Sequence, residues 1–275
     1  MIKRDFYLNQ IIRHMHNGDI KVITGIRRCG KSVLLFELFR DYLLSNGVLE
    51  DQIIAIALDQ RRYYKFRNPI TLCKYVEAIV TAARDRQFYL FIDEVQFTTK
   101  VNDTENDNIE ITIYDMLNEL KAYKNLDVYV TGSNSKMLTS DIATEFRGRA
   151  MQIHVHPFSF SEFYAYVGGD ERKALEQFML YGGMPRLLQM TQEQDKKDYL
   201  TNLYKELYLK DIVERKKVKR EDVLSDILDL LCSSVGSLTN PTRVADTINS
   251  KQKRSGENTV SPNTVKAYMD HLADA

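Results

Sequence analysis

The chain lacks the features that mark several protein classes. Only three of its 275 residues are cysteines, Cys29, Cys73 and Cys232, and they form no CxxC pair, so neither a zinc knuckle nor a disulfide framework is indicated. The net charge is zero, because 38 basic residues balance 38 acidic ones. The protein as a whole therefore has no positive electrostatic field that would attract nucleic acid or an anionic membrane. No stretch approaches the roughly 18 apolar residues of a membrane helix. We therefore expect a reducing, cytoplasmic location and no membrane partner.

The composition that remains is typical of a globular protein. Hydrophobic residues make up 44% of the chain and charged residues 28%, which argues against a disordered or fibrous protein. At roughly 150 residues per domain, the length predicts about two domains.

A phosphate-binding loop is the strongest motif. Residues 25–32 read Gly-Ile-Arg-Arg-Cys-Gly-Lys-Ser, which matches the pattern of Gly, four residues, Gly, Lys, then Ser or Thr. The flanking residues 20–24 and 33–39 predict a buried strand before the loop and a helix after it. In such a loop backbone N–H groups bind phosphate, Lys31 reaches the β and γ oxygens, and Ser32 ligates Mg²⁺. The predicted nucleotide-binding residues are Gly25, Ile26, Arg27, Arg28, Cys29, Gly30, Lys31, Ser32 and Val33.

Two adjacent carboxylates, Asp93 and Glu94, end a second apolar run at residues 88–92. Because the carboxyl ends of parallel strands meet at the ligand crevice, we expect Asp93 beside the phosphate loop as a Mg²⁺ ligand and Glu94 orienting water. The two motifs are expected on adjacent strand tips. The second carboxylate favours hydrolysis over transfer to a small acceptor, and no NKxD motif that would read guanine occurs, so the expected nucleotide is ATP.

Weaker candidates lie further along the chain. A predicted strand at residues 127–131 precedes Ser133 and Asn134, which either contact the γ-phosphate or water, or cap the next helix. Arg149 could stabilise charge on the transferred phosphoryl, within the chain or across a subunit boundary, or belong to a solvated turn. Arg186, at a predicted helix start, reaches the phosphates or is a surface arginine.

Together these motifs resemble a P-loop ATPase of AAA+ type, and more closely the bacterial and archaeal AAA-domain ATPases that carry a C-terminal domain of unknown function. The resemblance also rests on residues 92–96, 130–135, 148–149, 157–163, 182–185 and 209–215. It implies Walker A roles for Lys31 and Ser32, Walker B roles for Asp93 and Glu94, a first sensor at Ser133 or Asn134, an arginine finger at Arg149 and a second sensor at Arg186. Family members usually run on past this length, so their nuclease-like C-terminal domain is expected to be missing here.

Strands that alternate with helices predict an α/β fold with a parallel sheet, and helices follow after Pro157. A capping box, Ser159 with Glu162, is predicted to open the first of these helices, and a later one is predicted to start at Pro185. Three more helices are predicted after residue 220, with Pro241 opening the second and Pro262 the third. We expect a P-loop ATPase core at residues 1–158, a helical lid at 159–219 and a truncated helix-turn-helix or winged-helix-like module at 220–275.

The C-terminal module is a poor candidate for DNA binding. Residues 240–275 hold five basic and four acidic side chains, which leaves a net charge of only +1. A role in docking a protein or in coupling to the lid is favoured over DNA.

The sequence thus predicts a Mg²⁺-dependent ATPase whose nucleotide state is coupled to movement of the lid and the C-terminal module. The alternatives are a slow nucleotide-gated signalling switch and, with less support, a DNA-acting ATPase. A protein partner, or self-association through Arg149, is possible in each case.

Overall fold

The computed structural model describes residues 2–102, 110–132, 150–205, 210–252 and 259–273. The chain forms two compact units, Met1–Lys196 and Lys197–Ala275. The boundaries drawn from the sequence after residues 158 and 219 stay a prediction.

Seven strands lie in the described part of the first unit. They are β1 (Ile20–Thr24), β2 (Ile53–Ala57), β3 (Phe88–Asp93), β4 (Val101–Asn102), β5 (Glu110–Ile111), β6 (Leu126–Gly132) and β7 (Ala150–His154). Five of them form one parallel sheet in the order β2-β3-β6-β1-β7, while β4 and β5 pair antiparallel in a separate ribbon. The predicted α/β fold with a parallel sheet is confirmed.

Four helical segments flank the sheet. They are α1 (Asp5–Arg13), α2 (Lys31–Val33, the π-helical turn Leu34–Phe39, and Arg40–Ser45), α3 (Pro69–Ala82) and α4 (Ile113–Leu120). α3 begins where Asn68 caps the N–H of Thr71 and Pro69 occupies the first turn, where no hydrogen bond is lost. Short 3₁₀ helices lie at Glu50–Gln52, Arg61–Arg67, Val95–Phe97 and Pro185–Gln189.

The sheet is buried on both faces because its strands are apolar at successive positions. In β3, Leu90 and Ile92 pack in a cluster with α3 and α4, whereas Tyr89 and Phe91 pack in a second cluster with α1 and α2. Alternate side chains of a strand point to opposite faces, so a continuous apolar run supplies both cores. The helices on both sides hold the carboxyl ends of the strands in place.

Helices dominate after β7. α5 (Phe160–Val167) starts with the predicted capping box, in which Ser159 and Glu162 bond each other's backbone N–H, and α6 (Glu171–Tyr181) ends at Gly182. The helix predicted to start at Pro185 is a short 3₁₀ helix. α7 spans Glu193–Asn202.

The second unit is helical in its described residues. It contains α8 (Lys210–Lys216), α9 (Glu221–Ser233), α10 (Pro241–Gln252) and α11 (Pro262–Ala273), whose apolar faces share one core. α10 and α11 start at the prolines predicted to open them. A helix-turn-helix or winged-helix arrangement stays a prediction.

No helix in the part of the chain that the structure describes is long and apolar enough to cross a membrane.

Candidate active site

The loop between β1 and α2 requires glycine at both ends. Gly25 has φ +144°, and a Cβ atom there would lie 2.1 Å from the carbonyl oxygen of Val155, so any other residue would clash with backbone. Gly30 has φ +102°, a conformation that favours glycine. Arg28 adopts a left-handed conformation as well, with φ +67°. The backbone therefore wraps closely enough for its N–H groups to surround a small anion.

Lys31 folds back over this loop. Its ammonium donates hydrogen bonds to the carbonyl oxygens of Gly25, at 2.9 Å, and Ile26, at 3.0 Å. The side chain is only 4% exposed. The positive charge is thus fixed at the mouth of the loop, where a phosphate would lie.

Asp93 is the buried carboxylate at the end of β3. Its Oδ2 accepts a hydrogen bond of 2.7 Å from Ser32 Oγ, and its Oδ1 accepts one from the hydroxyl of Thr131. Burial raises the pKa of the Asp93 carboxyl above its ordinary value, and these two hydrogen bonds oppose that rise only in part. Ser32 and Asp93, the predicted Mg²⁺ ligands, are therefore in direct contact.

Glu94 follows Asp93 in a left-handed backbone conformation, with φ +54°. Its backbone N–H donates to Thr131 Oγ1 over 3.1 Å, and its carboxylate accepts a hydrogen bond from the side-chain amide of Gln96. The carboxylates of Asp93 and Glu94 therefore have different surroundings. Asp93 is buried, whereas Glu94 lines an open cavity. The predicted division of labour, with Asp93 as a metal ligand and Glu94 orienting water, stays a prediction.

The expectation that the two motifs sit on adjacent strand tips is wrong. β6 lies between β1, which leads into the phosphate loop, and β3, which carries the carboxylates. Thr131 lies near the end of this intervening strand. Its hydroxyl donates a hydrogen bond to the Asp93 carboxylate and accepts one from the backbone N–H of Glu94. Thr131 was not among the predicted site residues, although its position at the end of an apolar strand was a usable signal.

One cavity of about 710 Å³ is lined by seven of the twelve predicted site residues that the structure describes. Its predicted members are Arg28, Gly30, Lys31, Ser32, Val33, Glu94 and Arg186. The other lining residues are mixed: Ile2, Phe158, Tyr166, Pro185 and Leu188 are apolar or aromatic, and Arg4, Glu37 and Gln189 are charged or polar. The cavity therefore lies between the phosphate loop and the 3₁₀ helix Pro185–Gln189, and its volume is within the size range of ligand sites.

Cys29 does not face this cavity. Its thiol is fully buried and donates to the carbonyl oxygen of Val155 at 3.3 Å, and burial raises its pKa. This hydrogen bond joins the phosphate loop to the segment that follows β7.

Arg4 is a residue of the site that the sequence analysis missed. Its guanidinium donates to the carbonyl oxygens of Cys29 (3.2 Å) and His156 (2.7 Å), and it forms an ion pair of 2.8 Å with Glu162 of α5. One buried side chain thus joins the phosphate loop, the segment after β7 and the first helix beyond it. A lone arginine near the start of a chain gives no sequence signal of this kind.

Three predicted residues, Ser133, Asn134 and Arg149, lie outside the described residues. Their roles stay predictions.

Comparison with known proteins identifies the family. The sequence model described as an AAA domain matches residues 17–164, which is more than half of the chain. The chain belongs to this AAA-domain family. It is therefore a P-loop ATPase, and the resemblance drawn from its motifs is confirmed. A second model, described as a domain of unknown function, matches residues 172–275.

Two curated relatives of this AAA-domain chain carry the description "uncharacterized protein". One, from Haemophilus influenzae, is 30% identical over 280 residues, which cover 100% of the chain and 65% of the relative. The other, from Methanocaldococcus jannaschii, is 26% identical over 284 residues, which cover 94% of the chain and 55% of the relative. The chain thus spans between about half and two thirds of the length of these relatives.

Among solved structures, the Walker-type ATPase paby2304 of Pyrococcus abyssi is similar to the AAA-domain chain with a TM-score of 0.60 and 17% sequence identity. The similarity covers 100% of the chain and 89% of that protein. At this level of identity the likeness is one of fold.

Proposed function

We propose that the AAA-domain chain binds ATP with Mg²⁺ in the 710 Å³ cavity and hydrolyses it, with Glu94 polarising the attacking water. The observation that carries the proposal is that Lys31, Ser32 and Glu94 line the same cavity, while Ser32 bonds Asp93 directly. These are the groups that phosphoryl transfer to water needs: a cation for the phosphates, oxygen ligands for a metal and a carboxylate for water.

The residues present fit a magnesium ion. A hydroxyl and a carboxylate oxygen are the hard ligands that Mg²⁺ accepts in part of its shell, with water and phosphate supplying the rest. Burial also raises the pKa of the Asp93 carboxyl, and a metal would compensate its negative charge. Ser32 and Asp93 would hold the ion, which when bound neutralises charge on the β- and γ-phosphate oxygens.

The chain's own groups supply the remaining steps. The Lys31 ammonium exchanges the carbonyl oxygens of Gly25 and Ile26 for phosphate oxygens and stabilises the charge that develops on them. The Glu94 carboxylate, oriented by Gln96, accepts a proton from the attacking water.

The composition of the cavity wall supports a role for the lid. Pro185, Arg186, Leu188 and Gln189 of one 3₁₀ helix line the cavity together with residues of the phosphate loop. A nucleotide in this position would touch both the sheet and the helices that follow it, which is how a ligand shifts a lid towards its closed state. We extend the proposal to residues 159–219 as a lid and to 220–275 as a module that moves with it.

ATP hydrolysis by the purified chain tests the proposal, with Lys31→Ala as the blank. Glu94→Gln should lower turnover about 100-fold or more, as expected for loss of a general base, and should keep ATP binding. Glu176→Gln, which removes an exposed carboxylate of α6, is the matched control and should leave turnover unchanged. A wild-type rate in Glu94→Gln would overturn the assignment of the base.

The same assay separates the alternatives. Turnover far below the usual ~1 s⁻¹, together with partner binding that depends on nucleotide, would favour a signalling switch. Turnover per subunit that rises with protein concentration would favour self-association with Arg149 acting in trans. Stimulation by duplex DNA would favour a DNA-acting ATPase.

A further inference from the structure

A cluster of basic and aromatic side chains lies next to the ATPase site, on the 3₁₀ helix Arg61–Arg67 and at the end of Val95–Phe97. We call this cluster the basic-aromatic patch. It consists of Arg61, Arg62, Tyr64, Lys65, Arg67 and Phe97. None of these side chains lines the nucleotide cavity.

The patch lies in a locally basic segment of a chain whose net charge is zero. Residues 58–76 hold five basic side chains and one acidic one, against a net charge of zero for the whole protein. Arg61, Arg62 and Lys65 are exposed, and no carboxylate of the described residues forms an ion pair with any of them. The charges are therefore available to an anionic partner.

Planar groups are stacked within the patch. The guanidinium carbon of Arg67 lies 4.0 Å from the ring centroid of Tyr64 and 4.9 Å from that of Phe97. Tyr64 is 51% exposed and Phe97 is 40% exposed. Two partly exposed aromatic rings thus lie against one arginine, and their open faces offer flat apolar surface to a ligand.

The backbone holds these groups in a defined position. Arg67 Nε donates to the carbonyl oxygen of Leu58 at 2.9 Å, and the N–H of Thr99 donates to the carbonyl oxygen of Arg67 at 2.8 Å. Leu58 is itself bonded to Asp93, since its N–H donates to the Asp93 carbonyl oxygen at 3.2 Å. The patch is therefore preorganised and connected through backbone to the strand that carries the catalytic carboxylates.

We propose that the basic-aromatic patch binds single-stranded nucleic acid, with Arg61, Arg62 and Lys65 contacting phosphates and the rings of Tyr64 and Phe97 stacking on bases. Exposed rings interleaved with arginine and lysine are the combination by which proteins hold unpaired strands, because every base has a face to stack on. A duplex hides those faces inside its stack, and an acidic protein segment would use the charges but not the rings. This binding requires neither ATP nor hydrolysis, so it is separate from the proposed function.

Fluorescence anisotropy with labelled oligonucleotides tests the proposal without nucleotide. The probes are oligo(dT) and oligo(U) of about 20 nucleotides, which exceeds the roughly 4–16 nucleotides that one small domain covers, and a duplex of the same length. Both single strands should bind more tightly than the duplex, and a polyglutamate peptide should not displace them. Lys31→Ala should bind as the wild type does, which keeps this test independent of ATPase activity.

Two sets of variants separate charge from stacking. The double variant Arg61→Gln/Arg62→Gln should reduce the slope of log K against log salt by about 1.4, or roughly 0.7 for each phosphate that the protein no longer neutralises. Tyr64→Leu and Phe97→Leu should each weaken single-strand binding about tenfold with the slope unchanged, because stacking is removed and the charges remain. The matched control, Arg172→Gln/Lys173→Gln, removes an exposed basic pair of α6 and should change neither quantity.

Several outcomes would overturn the proposal. These are no single-strand binding at low salt, duplex binding at least as tight as single-strand binding, or wild-type affinity in both leucine variants with their fold intact by circular dichroism. Displacement by polyglutamate, together with loss of binding only in the arginine variant, would instead assign the patch to an acidic protein.

Discussion

Ser32 Oγ donates a hydrogen bond of 2.7 Å to Asp93 Oδ2, although the two residues are 61 positions apart. The bond joins the start of α2 to the end of β3 across the intervening β6. The predicted metal ligands are thereby brought together by the fold itself. The arrangement has a free-energy cost, because burial removes the Asp93 carboxylate from water.

This cost leads to the first prediction, on Asp93→Asn. A carboxyl whose pKa is raised by folding contributes stability while it is protonated, and that stability is lost as the pH rises through its folded pKa. Without metal, the stability of Asp93→Asn relative to the wild type should therefore increase as the pH rises above about 4, the ordinary pKa of an aspartate, while Mg²⁺-dependent ATP hydrolysis is abolished. Urea unfolding in EDTA across this pH range measures the difference.

Asp85→Asn serves as the control for Asp93→Asn, since Asp85 is exposed and is not among the groups that shift the pKa of Asp93, so the stability curve of this variant should follow that of the wild type. A stability difference for Asp93→Asn that shrinks with rising pH would contradict the prediction.

Arg4→Gln should weaken the fold of the first unit and the binding of ATP together. The change removes the ion pair with Glu162 and the hydrogen bonds to the carbonyl oxygens of Cys29 and His156. We expect a loss of about 2–4 kcal/mol in the free energy of unfolding, because a paired charge in a buried site is broken, and a higher KM for ATP. Urea titration and steady-state kinetics measure both.

Lys3→Gln, one residue earlier and exposed, should alter neither stability nor KM. An unchanged urea midpoint in Arg4→Gln would show that the guanidinium does not hold these segments together.

Removal of one charge from the buried ion pair of Lys21 and Asp127 should lower the free energy of unfolding strongly. Asp127 also accepts hydrogen bonds from the Tyr129 hydroxyl, at 2.7 Å, and the backbone N–H of His16, at 3.0 Å. Asp127→Asn leaves the Lys21 ammonium buried without its counter-charge, and we expect a loss of about 3–5 kcal/mol. The double variant Lys21→Met/Asp127→Asn should recover most of it, because it removes the buried charge and keeps an amide oxygen as acceptor for Tyr129 and His16.

The pH dependence of Asp127→Asn gives a second readout. Burial already lowers the pKa of Lys21, so the unfolded chain binds more protons than the folded one in the alkaline range. The variant should therefore gain stability between about pH 8 and pH 10, below the ordinary lysine pKa. Urea unfolding at several pH values measures this, and a stability that falls over the same range would refute the cause given.

The three thiols should react in an order set by exposure and pKa. Cys232 is exposed, Cys29 is fully buried with a raised pKa, and Cys73 is buried with its pKa raised to about 12. Iodoacetamide at pH 8 should modify Cys232 first, because the thiolate is the reacting form and the other two thiols are protonated and covered. Peptide mass spectrometry measures the order, with urea-unfolded protein as the control in which all three react. Equally rapid modification of Cys29 would contradict the structure of the loop.

The elements that sequence predicted correctly are those whose signal is local. The glycines of the phosphate loop, the apolar run before Asp93, the capping box of Ser159 and the prolines that open α10 and α11 each constrain their own stretch of backbone. A few neighbouring residues determine the favoured conformation at such places. The π-helical turn within α2 has no comparable local signature and was missed.

The amino-acid sequence by itself determined the class of the molecule: a parallel α/β sheet carrying a phosphate-binding loop and a pair of acids at strand ends. Only the tertiary structure decided that β6 separates those motifs, that Thr131 bridges them, and that Arg4 ties the loop to α5. Strand order and the partners of a buried polar side chain depend on contacts between residues far apart in the chain. No pattern within one segment specifies such contacts, because they follow from how all the segments bury their apolar faces together.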